Sequence, residues 1–224
     1  MKKYYDVVMF DLDGTLVNTG ISIINSIVYV LRKNHITVPA PEDRRKFVGP
    51  PIRTGLNKLC GLNASECDKI AKEYRAHFEK FNWTNNYIYP GISDLLDFLK
   101  SLGVYTAVAT SRPYPFAMRI IKHRHLEDRF DFICAPEESN PGIPKKDLIT
   151  NVLKNYHTLT DNDPQNTKAI MVGDTVYDIK GACEAKIDSV MVTYGFGTLQ
   201  ELENYQPTYC AYNVSELYQI LFNH

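Results

Sequence analysis

The chain has 224 residues, 44% of them hydrophobic and 23% charged, with a formal net charge of −1. That length suits one large domain or a core with a small second lobe, and the unbiased composition excludes a disordered, collagen-like or repetitive chain. The near-zero charge excludes a strong electrostatic footprint for nucleic acid or an anionic membrane.

The apolar run Val7-Val8-Met9-Phe10 reads as a short buried strand. Asp11-Leu12-Asp13-Gly14-Thr15-Leu16 follows it directly. Ile21, Ile24, Ile27, Val28 and Leu31 then recur at helical spacing, giving an amphipathic helix that ends near Lys33-Asn34. Three more helical patterns run from Pro41 to Val48, from Ile52 to Cys60 and from Ser65 to about Asn82. Ser65 is the expected cap of the last, with Glu66 and Asp68 in its first turn. No strand signal stands out between residues 17 and 86, so an all-helical insert is expected there. After Tyr89-Pro90-Gly91 the pattern alternates. A helix from Ile92 to Leu102 precedes a strand from Val104 to Ala109, and a helix from Pro115 to His123 precedes a strand from Phe130 to Cys134. Helix Lys145 to Tyr156, strand Ala169 to Val172, helix Tyr177 to Ala185 and strand Ser189 to Thr193 continue the series. A last helix, Asn213 to Leu221, is capped by Asn213 or Ser215. Strands alternating with helices imply a doubly wound parallel sheet, here an α/β core interrupted after its first strand.

The five cysteines are scattered, with no CxxC pair, so neither a zinc site nor a disulfide framework is expected, and reduced thiols in the cytoplasm are the natural setting. Met1-Lys2-Lys3 begins as a signal peptide would, but Asp6 and Asp11 interrupt any apolar core. The stretch Ile21 to Leu31 is too short and too polar to span a bilayer.

Four polar features fall at strand ends or helix starts. Asp11 and Asp13, two residues apart, leave the first strand on the same side, at the end of the sheet where open α/β folds bind ligands. Such a pair can hold a hard divalent cation, or divide the work of nucleophile and acid/base. Gly14 permits a tight exit and Thr15 offers a hydroxyl beside the site; a plain polar turn would also explain Asp13-Gly14. Thr110-Ser111 closes a strand where hydroxyl and backbone N–H groups can hold a phosphoryl oxygen, or where an ordinary cap precedes Pro113. Lys145-Lys146 opens a helix, a poor place for cations unless an anion is near; surface lysines are the alternative. Asp174 and Asp178, four apart after an apolar strand, share a helix face and can complete a metal site, whereas a helix cap would explain Asp174 alone.

Together these residues resemble the haloacid dehalogenase superfamily of phosphatases. Asp11-Leu12-Asp13-Gly14-Thr15, Thr110, Lys145, and Gly173-Asp174 with Asp178 match that family's four motifs in order, over nearly the whole chain. Lys145 fits the third motif best, with Lys146 as the other candidate. The resemblance implies a Rossmann-like core over residues 1–16 and 89–224, with a helical cap over residues 17–88. Phe47-Val48-Gly49-Pro50-Pro51-Ile52, Thr110-Ser111-Arg112-Pro113 and Met171-Val172-Gly173-Asp174 look like the phosphoglycolate phosphatase and 5′-nucleotidase-like branch. Asn18 stands where Asp is commoner, and Arg112 where Lys is commoner.

The resemblance also implies a chemistry. Asp11 is the nucleophile and forms an aspartyl-phosphate; Asp13 protonates the leaving alcohol and then activates water. Mg²⁺ is held by Asp11, the Asp13 carbonyl and Asp174, with Asp178 in support. Thr110 and Lys145 cancel phosphoryl charge, and Gly14, Thr15 and Ser111 lie at the substrate. Arg53, just after Gly49-Pro50-Pro51, is a candidate for a second anionic group, or a surface arginine. The expected partner is a small phosphate ester, with no nucleic-acid polymer and no membrane. A phosphomutase would use the same aspartates and retain the phosphoryl group; the Gly-Pro-Pro element favours a phosphatase. The intact motif set argues against a non-catalytic binding protein on the same fold.

Overall fold

The computed structural model describes residues 4–140, 142–160, 163–202 and 205–222, so Met1-Lys2-Lys3 lies outside the described residues. Val7–Phe10 forms β1 and is wholly buried. Val8 and Phe10 face one apolar cluster and Val7 and Met9 another, because successive side chains point to opposite faces and both faces are covered. The chain continues through β2 (Val17–Asn18), α1 (Gly20–Lys33), α2 (Ile52–Cys60), α3 (Ala64–His77) and β3 (Tyr87–Ile88). It then forms α4 (Ile92–Ser101), β4 (Tyr105–Ala109), α5 (Tyr114–His123), β5 (Phe132–Cys134) and α6 (Lys145–Leu159). The remainder is β6 (Ala169–Gly173), α7 (Val176–Ala185), β7 (Asp188–Val192), β8 (Tyr209–Ala211) and α8 (Val214–Phe222).

Six strands form one parallel sheet in the order β5-β4-β1-β6-β7-β8. Helices α4, α5 and α8 contribute to the apolar cluster on one face, and α6 and α7 to the cluster on the other. From β1 the chain winds outward to β5, then returns past β1 to β6 and winds the opposite way. The carboxyl ends of β1 and β6, paired through Phe10 and Val172, therefore flank the switch point where a doubly wound sheet leaves a crevice. Between β1 and α4 the insert buries a cluster of its own, including Ile27, Leu31, Phe47, Leu56, Ile70 and Phe78. No helix among the described residues is long and apolar enough to cross a membrane.

The insert is helical through α1, α2 and α3, as expected, but its two ends carry short strands that were not expected. Val17–Asn18 pairs antiparallel with Tyr87–Ile88, so the two crossings between core and insert lie side by side. Two-residue strands are too short to show alternation. The Pro41–Val48 pattern yields only a 3₁₀ turn at Arg44–Phe47; prolines at 39, 41, 50 and 51 leave too few residues to nucleate an α-helix. Helix α3 is capped by Asn63, not Ser65. The Asn63 side chain accepts from the Glu66 N–H while the Glu66 carboxylate accepts from the Asn63 N–H, satisfying two end groups reciprocally. Beyond His77 the helix widens into a π-turn, Phe78–Asn82. Strand β8 carried no expectation, being a three-residue edge strand with only Ala211 buried. At the last helix Asn213, of the two candidates, accepts from the Glu216 N–H at 2.9 Å.

Asn63→Ala is expected to lower stability by about 1 kcal/mol, a typical cap loss, while Ser65→Ala stays within about 0.5 kcal/mol. Urea midpoints of the two variants check this; equal losses would return the cap to Ser65.

Candidate active site

Asp11 is the first residue beyond β1, Asp174 the first beyond β6, and Asp178 sits in the first turn of α7. Parallel register at one end of adjacent strands brings them together, and a carboxylate oxygen from each lies within 4.8 Å of the others. All three are buried. The opposing cation is Lys145, at the start of α6. Its Nζ lies 2.8 Å from Asp11 Oδ1 and 2.7 Å from Asp178 Oδ1, and it donates to the Ala109 carbonyl at 2.8 Å. Gly181 of α7 makes room for its stem, since a Cβ there would approach Lys145 Cβ to 2.8 Å. Lys146 points to solvent. Of the two lysines that open α6, only Lys145 reaches the carboxylates.

Burial pushes the Asp11 carboxyl up to about 7, against the pull of the Lys145 ammonium and with the push of Asp178. Asp174 is raised well above the usual carboxylate range by burial, then by repulsion from Asp11 and Asp178. Burial pulls Lys145 down, but Asp11 and Asp178 more than offset it, and the ammonium ends above its ordinary value. Fully ionised, three carboxylates facing one ammonium would carry net negative charge, and the upward shifts of Asp11 and Asp174 show how unfavourable that charge is without a further cation. An all-oxygen, anionic donor set fits a hard divalent cation, which would supply the missing charge.

Asp174 is held from two sides. Thr15 Oγ1 donates to its Oδ1 at 3.2 Å, and the Phe196 N–H donates to its Oδ2 at 2.7 Å. Gly14 has φ +88°, and a Cβ there would fall 2.1 Å from Asp174 Oδ2, so position 14 requires glycine on both counts. Gly14 and Thr15 were expected at the substrate. Both lie beside Asp174: Thr15 is fully buried and bonded to it, and neither residue lines the cavity described below. Asp178 accepts from the Thr175 N–H and hydroxyl through Oδ2, at 3.0 and 2.7 Å, leaving Oδ1 for Lys145.

Asp13 lies at the floor of a cavity of about 380 Å³ between sheet and insert, lined also by Asp11, Thr110, Ser111 and Lys145. Its partner is Arg112. The guanidinium donates from Nε to Oδ2 at 2.8 Å and from Nη2 to Oδ1 at 2.9 Å, a two-pronged fit between planar groups. The same guanidinium lies 4.9 Å from the centre of the Phe78 ring of the insert. Thr19, at the entry to α1, also donates to Asp13 Oδ1. Thr110 is buried, and its hydroxyl accepts the Arg112 N–H at 3.2 Å. Arg53 lines the cavity, but its guanidinium pairs with Asp68 at 2.7 Å on an exposed face of the insert. Sequence reasoning marked Arg112 only as a departure from lysine and passed over Thr19. Arg112 and Asp13 are separated by 99 positions, and no local pattern links them.

A family model described as haloacid dehalogenase-like hydrolase matches residues 8–192. The tyrosine-protein kinase PtkA of Mycobacterium tuberculosis is 36% identical over 193 residues; the match covers 85% of this chain but spans only 63% of that protein. A 5′-nucleotidase of Pseudomonas aeruginosa is 29% identical over 220 residues, 98% of this chain and 97% of the relative. A solved structure from Clostridium acetobutylicum, described as a "predicted phosphatase", superposes with a TM-score of 0.87 at 34% identity, covering 98% of this chain and 99% of that one.

Asp11 titrates near 7 in the folded chain against an ordinary 3.8, so the folded protein keeps a proton that the unfolded chain gives up between those values. The metal-free protein therefore loses stability from this group as pH rises from about 4 to about 7 and levels off above. Urea midpoints across that range, compared with those of Asp11→Asn, isolate the contribution. A wild-type minus variant difference that stays flat or rises would overturn it.

Proposed function

The chain belongs to the haloacid dehalogenase-like hydrolases, and on that footing we propose that it is a Mg²⁺-dependent phosphomonoesterase acting on a small phosphorylated metabolite through an aspartyl-phosphate. The observation that carries this reading is the buried Asp11 carboxylate, 2.8 Å from the Lys145 ammonium within an anionic carboxylate cluster, at the floor of a cavity. A carboxylate attacking a phosphate dianion meets electrostatic repulsion, and the arrangement supplies the cure. Lys145 lies against the nucleophile and can pair with the phosphoryl oxygens as charge builds on them. Thr110 accepts the Arg112 N–H through its oxygen, which leaves its hydroxyl proton for a phosphoryl oxygen. Ser111 lines the cavity beside it.

Asp11 attacks phosphorus and the ester bond to the leaving oxygen breaks, while Asp13 gives that oxygen a proton. Asp13, now a carboxylate, takes a proton from water, which attacks the acyl phosphate and returns Asp11. Asp11, Asp174 and the backbone carbonyl of Asp13 would hold Mg²⁺, which supplies further neutralisation of phosphoryl charge when bound. Asp178, tied to Lys145 at 2.7 Å, orients the ammonium.

We take residues 17–88 as a cap and the remainder as the catalytic core. The cap has its own apolar cluster and meets the core at paired strands, Val17–Asn18 with Tyr87–Ile88, an arrangement suited to closing over a bound ester and excluding water. A cavity of about 380 Å³ suits a metabolite of modest size. A polymer would need an exit for its chain on both sides. The full-length match to a 5′-nucleotidase supports a small phosphate ester.

Phosphate release from a panel of phosphomonoesters, with and without chelator, tests the reading. Multiple-turnover release that vanishes on chelation and returns with Mg²⁺ is expected; a single turnover, or full activity after exhaustive chelation, would refute it. Asp11→Asn is expected to lower release by about 10³-fold or more, because an amide cannot form the acyl phosphate. Loss of less than about tenfold would remove Asp11 from the nucleophile's role. Asp174→Ala is expected to shift the Mg²⁺ titration to higher concentration, and an unchanged titration would place the ligand elsewhere.

A further inference from the structure

We propose that Phe196 is a positioning residue that couples the start of the insert to the carboxylate of Asp174, so that Mg²⁺ affinity depends on where α1 begins. The proposal rests on the phosphatase reading for its metal, and it names a residue in the loop after β7 that the four motifs leave out. The Phe196 N–H donates to Asp174 Oδ2 at 2.7 Å. Its ring packs against the apolar cluster of the insert, beside Gly20, the first residue of α1. A Cβ at Gly14 would fall 2.6 Å from ring atom Cδ2, and one at Gly20 2.4 Å from Cε1. Those two atoms lie on opposite edges of the ring. The ring is wedged between the first loop and the insert.

The backbone on either side of Phe196 presses on the same aspartate. A Cβ at Gly195 would come within 2.3 Å of Asp174 Cβ, and one at Gly197 within 2.0 Å of the Asp174 carbonyl oxygen. The neighbouring tyrosine closes a circuit. Its hydroxyl, on Tyr194, donates to the Thr15 carbonyl at 3.2 Å, and Thr15 Oγ1 donates to Asp174 Oδ1 at 3.2 Å. Asp174 is thus gripped by two segments, one of which is seated in the insert. A residue between two glycines has little backbone stiffness of its own, so the seat of the ring is what fixes the Phe196 N–H. A hydrogen-bond donor to a ligating carboxylate orients it, and its loss costs about tenfold to a hundredfold in metal affinity. The orientation of Asp174 therefore follows the first turn of α1, although the Gly20 N–H itself bonds to Asn18 and to no carboxylate among the described residues.

Calorimetric titration with Mg²⁺ alone tests this without turnover. Gly20 lies outside the left-handed region, so Gly20→Ala adds a methyl group that the helix accepts and the ring does not. It is expected to raise the Mg²⁺ dissociation constant by about tenfold, as is Phe196→Ala, which empties the seat. Phe196→Leu keeps an apolar side chain there and is expected to raise it less. The double variant Gly20→Ala/Phe196→Leu relieves the collision and is expected to bind Mg²⁺ as Phe196→Leu does, a non-additive rescue. Wild-type affinity in Gly20→Ala or in Phe196→Ala would overturn the proposal, as would a double variant as weak as the product of its two single effects. Phe196 would then be packing alone. If Gly20→Ala does not fold, the Phe196 variants decide: a loss in Phe196→Ala that Phe196→Leu largely restores supports the coupling, and equal losses in the two overturn it. A wild type that binds Mg²⁺ but hydrolyses no phosphomonoester would sink the phosphatase reading alone, and one that binds no Mg²⁺ would overturn the coupling as well.

Discussion

Three carboxylates share a buried pocket with one lysine, and much of the site is arranged around that electrostatic imbalance. Asp11, Asp174 and Asp178 would repel one another strongly in a low-dielectric interior. Their positions are nevertheless fixed, because each is tied by hydrogen bonds that do not depend on a bound ion. Thr15 and the Phe196 amide hold Asp174, Thr175 holds Asp178, and Lys145 bridges Asp11 and Asp178. A site held in this way is preorganised for a cation, and the raised Asp11 and Asp174 carboxyls mark the charge that a cation would offset.

The backbone makes this crowding possible. The crossing pattern of the sheet leaves the ends of β1 and β6 adjacent, and the chain exits each strand directly into a carboxylate. Glycines then admit the close approaches. Gly14 lets Asp174 come up to the first loop, and Gly181 lets α7 lie against the Lys145 stem. Phe196 serves both bodies, since its amide holds Asp174 while its ring packs against the cluster of the insert and fills the space beside Gly20. The carboxylate cluster and the start of α1 are in this way connected through one residue.

Asp13 belongs to a second, separate balance. It sits outside the buried triad, neutralised by Arg112 and touched by Thr19 from the strand-to-helix crossing. Asp13 is therefore sensitive to both neighbours of the cavity: the loop after β4, which carries Arg112, and the entry to the insert, which carries Thr19. Phe78, the ring on which Arg112 lies, extends the same contact into the insert.

Much of this was legible in the sequence because it is local. Buried strands read as continuous apolar runs, amphipathic helices as 3.6-residue periods, and Asp11, Asp13, Asp174 and Asp178 as carboxylates placed at or just past a strand end; Thr110 and Lys145 gained weight only from the order of the four motifs. Elements too short to show a period did not stand out: β2, β3 and the edge strand β8 are stabilised by pairing partners far away in the chain. The same limit applied to side-chain roles. Nothing near Gly14 or Thr15 shows that they lie against Asp174, and nothing near Lys145 and Lys146 shows which one α6 turns inward. Asp13 with Arg112, and Arg53 with Asp68, are partnerships that only the folded chain creates, since ion pairing depends on distance in space and sequence spacing carries that information only within a helix turn or a hairpin.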